Sequence, residues 1–284
     1  MSTVHHIAPR TALFLPASNP RAIEKARGLA ADMIILDLED AVKAEDKDAA
    51  REAAKTVEGF GDRPFGIRVN AEDSEHWKAD LKAVKKSAAT HVIVPKVEKP
   101  DTVVYAAAYS GKPVLAMIET AAGVMNVGPI ASTDTWGMKI AGLIVGTNDL
   151  AASLKLPPAA GRAQMALALQ LVVLAARGRE IWALDGVFNR LDDAEGLAAE
   201  CAEGRLLGFD GKSLIHPNQI DIARAAFDPT EAELEAARAL IAAASGGAER
   251  FDDRMIEEMH VEQAKALLSR VAGGVNAGGA ETGA

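Results

Sequence analysis

The run "VLAMIET" (residues 114–120) is apolar as far as Ile118 and then meets Glu119; "GLIVGTNDL" (142–150) likewise gives way to Asn148 and Asp149. Two carboxylates at the ends of apolar segments, once folding brings them together, repel each other, and desolvation adds to the cost. A divalent cation between them resolves the conflict. Hard oxygen donors, few in number and completed by water, suit Mg²⁺, or Mn²⁺ in its place, rather than zinc. No HxH or HExxH spacing argues otherwise.

Other charged groups cluster around similar positions. Arg68 in "GIRVN" offers a planar fork for a carboxylate or an enolate oxygen. Lys96 in "VPKVE" adds a second cation. "DLEDAV" (37–42) packs Asp37, Glu39 and Asp40 together, which is costly unless they are solvated, paired or near a cation. Glu39 and Asp40 either open a solvated helix, or hydrogen-bond metal-bound waters or hold Arg68 in place. The purely architectural alternative pairs each acid with a lysine or arginine, or makes it a helix cap, a common use of Asp at a strand-to-helix junction.

These residues need a scaffold that gathers strand ends. Short apolar runs occur at 11–17, 33–39, 65–70, 91–97, 114–119, 142–147, 181–188 and 208–215, and Ala-, Glu-, Lys- and Arg-rich helical stretches separate them. Most runs are continuously apolar, as in strands covered on both faces. Asn19 before Pro20 reads as an N-cap with proline at the first helical position. Eight strands alternating with helices predict an α/β fold, a (β/α)8 TIM barrel, whose strand C-termini share one face. The rival is an open doubly wound sheet, but the first strand ends in "LPASNP" without its Gly-rich loop.

The barrel is expected over residues 1–228. A small C-terminal helical lid or appendage is expected over 229–271, with Thr230 and Glu233 forming a capping box. A disordered tail is expected over 272–284, where apolar content is too low to pack.

The chain of 284 residues is 49% hydrophobic and only 4% aromatic, so its core must be aliphatic. Its net charge of −9 argues against nucleic acid and against anionic membranes as partners. No run approaches the ~18 apolar residues of a membrane span. One cysteine, Cys201, leaves no internal disulfide, and "MSTVHHIAPR" lacks a secretory layout, so a cytoplasmic location is expected. An anionic ligand remains compatible through local cations: Arg10, Arg21, Lys25 and Arg27 stand in the first forty residues.

"RTALFLPASNPRAIEKA", "DLEDAV", "IRVN", "VPKVE", "MIET" and "IHPNQI", in that order, resemble the citrate lyase β-subunit group. That group includes the malyl-CoA and citramalyl-CoA lyases of the HpcH/HpaI aldolase superfamily. The resemblance runs from about residue 10 to residue 220 and continues more weakly beyond. It implies a Mg²⁺-dependent TIM barrel that makes or breaks a carbon–carbon bond next to a CoA thioester, through an acetyl-CoA enolate. It further implies Glu119 and Asp149 as metal ligands, and Arg68 as the group that polarises the reacting oxygens. Glu39 and Asp40 become supporting acids, and Lys96 joins the substrate-binding set. Arg10, Arg21 and Lys25 would meet the CoA phosphates, and His216 in "SLIHPNQ" would line the adenine or pantetheine side. Glyoxylate or pyruvate would be the keto acid, and a homo-oligomer, trimer or hexamer, would let the appendage reach a neighbouring site.

The chain departs from that pattern at one place. Many of these lyases carry a segment resembling "GKMVDAP" in the appendage, whose aspartate transfers the proton. Here "DDRMIEEMHVEQA" sets Glu257 at that position, followed by Glu258 and Met259. The extra methylene moves the carboxylate by on the order of 1 Å, a displacement that matters for proton transfer. A malyl-CoA-type thioesterase is therefore an alternative to the lyase. A CoA-independent aldolase of 4-hydroxy-2-oxoacids and a non-catalytic subunit complete the set.

Overall fold

The computed structural model describes residues 7–135, 138–244, 249–251 and 254–274. It divides into two compact units, Ala8–Phe227 and a C-terminal unit from Asp228 onward with which Ile7 groups.

The first unit is a closed barrel of eight parallel strands, as the alternation of strands and helices predicts. They are β1 (Thr11–Pro16), β2 (Met33–Asp37), β3 (Phe65–Arg68), β4 (His91–Val94), β5 (Val114–Ile118), β6 (Gly142–Val145), β7 (Trp182–Asp185) and β8 (Gly211–Leu214). Each pairs with its neighbours in sequence, and β8 closes on β1 with Thr11 opposite Lys212 and Leu13 opposite Leu214. The strands stop one to three residues short of the apolar runs. The surplus residues, among them Glu39, Lys96 and Glu119, turn into the loops above the barrel. β8 begins three residues late because Gly208, at φ +101°, ends the preceding helix Ala194–Leu207.

The continuous apolar runs resolve into two alternating sets. Ala12, Met33, Ile35, Ile93, Leu115, Met117, Ile144 and Leu184 pack inside the barrel. Leu13, Ile34, Leu36, Val92, Ala116, Leu143 and Ala183 pack outward against the helices. A strand sends alternate residues to opposite faces, so the inward series of β2 continues to Asp37 and that of β5 to Glu119. The site is thus the top layer of the barrel interior.

Asn19 caps helix Pro20–Ala26, accepting the Ala22 amide at 3.1 Å. In the C-terminal unit, Thr230 and Glu233 form the expected capping box at the start of helix Glu231–Ala243. An antiparallel pair, Glu249–Phe251 with Arg254–Ile256, precedes helix Glu258–Gly274. That helix takes in the first residues of the segment expected to be disordered, and 275–284 lie outside the described residues. Among the described residues no helix is long and apolar enough to cross a membrane.

Candidate active site

Asp37, the last inward residue of β2, organises one side of the site. Its two carboxylate oxygens accept the amides of Glu39 and Ala41, both at 2.9 Å, and so shape the loop that follows. The same oxygens take the fork of Arg68, Nε at 2.7 Å and Nη2 at 2.6 Å. This leaves Nη1 3.0 Å from Glu39 Oε2 and 3.3 Å from Asp40 Oδ2. The guanidinium lies over the Phe14 ring, 5.2 Å from its centroid. A buried, bidentate, stacked arginine is held far more rigidly than a lysine would be.

Lys96 joins this group to Glu119. Its Nζ donates to Glu39 Oε1 at 2.6 Å, and its main-chain amide donates to Glu119 Oε1 at 2.7 Å. To face both acids it adopts φ +50°, a left-handed backbone that a long side chain rarely takes. Strain of this kind persists where the surroundings over-determine it. Burial keeps the Glu39 carboxyl above its ordinary value despite the opposing pull of Arg68 and Lys96.

Glu119 is 1% exposed, and its Oε2 has no hydrogen-bond partner although it is buried. Burial foremost, then the Glu39 charge, pushes its carboxyl up to about 7; Asp149 adds to the rise and the Lys96 amide opposes it. Asp149 is half-buried in the first turn of helix Thr147–Ser153, directly after β6. Both acids line a cavity of about 370 Å³ together with Asp37, Asp40 and Arg68, and Phe14, Met117, Val187 and Ile215 form much of its apolar wall.

A partnerless buried carboxylate oxygen is a costly feature in a protein interior. Around the cavity, Arg68 and Lys96 face five carboxylates, those of Asp37, Glu39, Asp40, Glu119 and Asp149. A divalent cation held by Glu119 and Asp149 would satisfy the orphaned oxygen and offset the excess charge. Among the described residues no set of three or more His, Cys, Asp or Glu side chains gathers as a ligand cage. Two carboxylates with water and substrate completing the shell is the habit of Mg²⁺, not of structural zinc. The donor set fits the ion.

Gly146 makes room for this arrangement. A Cβ added there would stand 2.0 Å from Glu119 Oε2 and 2.6 Å from its Cβ. Gly146→Ala is therefore expected to lower stability by about 1–3 kcal/mol and to weaken Mg²⁺ binding at least tenfold, measured by thermal unfolding and by titration calorimetry. An unaltered Mg²⁺ affinity would show that the Glu119 carboxylate is not confined as described.

The structure brings Arg68, Glu39, Asp40, Lys96, Glu119 and Asp149 together. Arg10 is not among them: it precedes β1, at the opposite end of the barrel, where it forks onto Asp32 at 2.7 and 2.8 Å. Arg21 and Lys25 are exposed on helix Pro20–Ala26, whose first turn follows the site end of β1. His216 caps the turn Pro217–Gln219, accepting the Asn218 amide at 3.2 Å, and is exposed. Glu257 belongs to the C-terminal unit, where it is exposed at the start of helix Glu258–Gly274. Asp185, which ends β7, and Lys212, within β8, face the helix layer and pair with each other at 3.0 Å. Their alternation with inward Leu184 and Ser213 carried that information. The same two-residue period would have singled out Asp37, whose role as the clamp on Arg68 the sequence reading missed.

A TIM barrel with a carboxylate-rich pocket at the C-terminal ends of its strands is the architecture of many enzymes that activate small acids with a divalent metal. Residues 10–217 match the HpcH/HpaI aldolase/citrate lyase family model. The chain belongs to that family. It is 42% identical over 271 residues to a (3S)-malyl-CoA thioesterase of Cereibacter sphaeroides, covering 92% of this chain and 94% of the relative. It is 35% identical to the citrate lyase subunit beta of Leuconostoc mesenteroides, covering 82% of each. Among solved structures, CitE of Mycobacterium tuberculosis, in complex with magnesium, acetoacetate and coenzyme A, superposes with a TM-score of 0.82 at 33% identity, covering 93% of this chain and 98% of CitE.

Proposed function

We propose that this chain is a Mg²⁺-dependent enzyme of malyl-CoA-type 3-hydroxyacyl thioesters, and that its net reaction is hydrolysis of the thioester. The observation that carries the metal-dependent chemistry is the buried, partnerless Oε2 of Glu119 facing a cavity shared with Asp149. Glu119 and Asp149 hold the ion. When bound, it supplies Lewis acidity toward the hydroxyl and carboxylate of the acid end of the substrate. Arg68, locked by Asp37, presents Nη1 to stabilise the oxyanion that forms on the thioester carbonyl when water adds to it. Collapse of that adduct breaks the carbon–sulfur bond, and the departing thiolate takes up a proton. Asp40 is the exposed carboxylate beside Arg68 and is placed to take the proton of the attacking water. Arg21 and Lys25, exposed above the first strand, serve the CoA phosphates.

Carbon–carbon cleavage is the second reading. The same Arg68 fork would stabilise an acetyl-CoA enolate, and the likeness to a citrate lyase β subunit supports it. The sequence expectation ranks cleavage first; the higher identity and coverage of the thioesterase relative favour the reverse order. Incubation with malyl-CoA and citramalyl-CoA, in Mg²⁺ or EDTA, separates the two. Hydrolysis yields free CoA and the hydroxy acid, lost in EDTA. Acetyl-CoA with glyoxylate or pyruvate establishes the second reading, and turnover of neither ester overturns both.

A further inference from the structure

Two exposed asparagines at the rim of the cavity have no part in the chemistry above. Asn148, from the turn after β6, and Asn189, from the loop after β7, join through their side-chain amides: Asn189 Nδ2 donates to Asn148 Oδ1 at 2.7 Å, and Asn148 Nδ2 donates to Asn189 Oδ1 at 3.3 Å. Both line the cavity.

The two sides of this pair differ in how firmly they are held. The β7 side is anchored at its base. Gly186 donates its amide to Asp185 Oδ1 at 2.8 Å, and buried Asp185 is fixed by Arg162 at 2.9 Å and Lys212 at 3.0 Å. Farther along, Gln219 Nε2 donates to the Phe188 carbonyl at 2.9 Å. The β6 side carries Asp149, whose carboxylate forms no hydrogen bond or ion pair among the described residues. Its placement therefore depends on the backbone of its turn. That backbone leans on the β7 loop, where Thr147 fills the space left by the absent Gly186 side chain, and is tied to it by the amide pair.

We propose that Asn189, acting through Asn148, is a positioning residue for Asp149: the amide pair fastens the turn bearing Asp149 to the rigid β7 loop and sets the spacing of the two metal-binding carboxylates. The inference rests on the reading of Glu119 and Asp149 as Mg²⁺ ligands. Partners that orient metal ligands typically govern affinity by 10–100-fold. An exposed side-chain pair contributes little to global stability, so ion binding and folding can be read separately.

The test is calorimetric titration of Mg²⁺ into the substrate-free protein, for wild type, Asn189→Ala, Asn148→Ala and the double variant. Each single change is expected to weaken Mg²⁺ binding about tenfold, and the double variant to bind no more weakly than either, because both remove one shared contact. Unfolding temperatures in EDTA are expected to match wild type. Wild-type affinity in Asn189→Ala, or additive losses in the double variant, would overturn the inference alone. A wild-type protein that binds no Mg²⁺ would overturn the metal reading beneath it, and the inference with it.

Discussion

Glu119→Gln is expected to lower Mg²⁺ affinity and turnover by a factor of ~100 or more, and at the same time to stabilise the metal-free protein above pH 7. The first effect follows from the proposed role of Glu119 as one of two charged ligands. The second follows from the cost of ionising a carboxylate that has been taken out of water. Its carboxyl is raised from 4.5 to about 7 in the folded chain. Between those values the folded state binds more protons than the unfolded state, so stability falls as pH rises. The penalty is absent below 4.5 and complete above 7, where it amounts to about 3 kcal/mol. Glutamine keeps the Lys96 amide contact and carries no charge. In EDTA, the variant should melt above wild type at pH 8, and the gap should close as the pH is lowered through 7 toward 4.5. Mg²⁺ should tighten on wild type over the same rise in pH, because binding displaces the proton. A gap that does not vary with pH would show that Glu119 is not the strained group.

Arg68→Met is expected to be the most destabilising single change at the site. It strips the shared cation from Asp37 and from Glu39, which are 1% and 7% exposed. Breaking a buried pair on one side costs about 3–5 kcal/mol, which in a domain of this size lowers the unfolding temperature by on the order of 10 °C. Arg68→Lys restores a charge but not the fork on Asp37, nor the Nη1 that stands between Glu39 and Asp40. It should regain part of the stability and little of the activity, with kcat about 100-fold below wild type. Thermal melts beside steady-state kinetics separate the two. Recovery of kcat in the lysine variant would reduce Arg68 to a structural counter-ion.

The barrel was legible because its strands bury both faces, so their sequences stand out as apolar runs between charged helices. That Glu119, Asp149 and Arg68 come together was legible because the C-terminal ends of barrel strands share one face. What the runs concealed was facing. Asp185 ends β7 as Glu119 nearly ends β5, yet it points into the helix layer, where it pairs with Lys212 from within β8. Arg10 lies only one residue before β1, but on the side of the barrel away from the chemistry, where Asp32 claims it. Gly146 and the asparagine pair were illegible for another reason. Their meaning lies in contacts between successive loops, which no local pattern of residue types encodes.

The register of β1 has a consequence for how the molecule is made. One edge of this strand is met by β2 almost as soon as both exist, but its other edge pairs with Lys212, Ser213 and Leu214. During synthesis Thr11, Ala12 and Leu13 must wait for a partner roughly 200 residues downstream, the kind of distant contact that slows folding. Until the ribosome delivers that segment, the nascent sheet is a curled ribbon with an unsatisfied margin, open to pairing with the wrong chain. The ring cannot close before Lys212–Leu214 have been made.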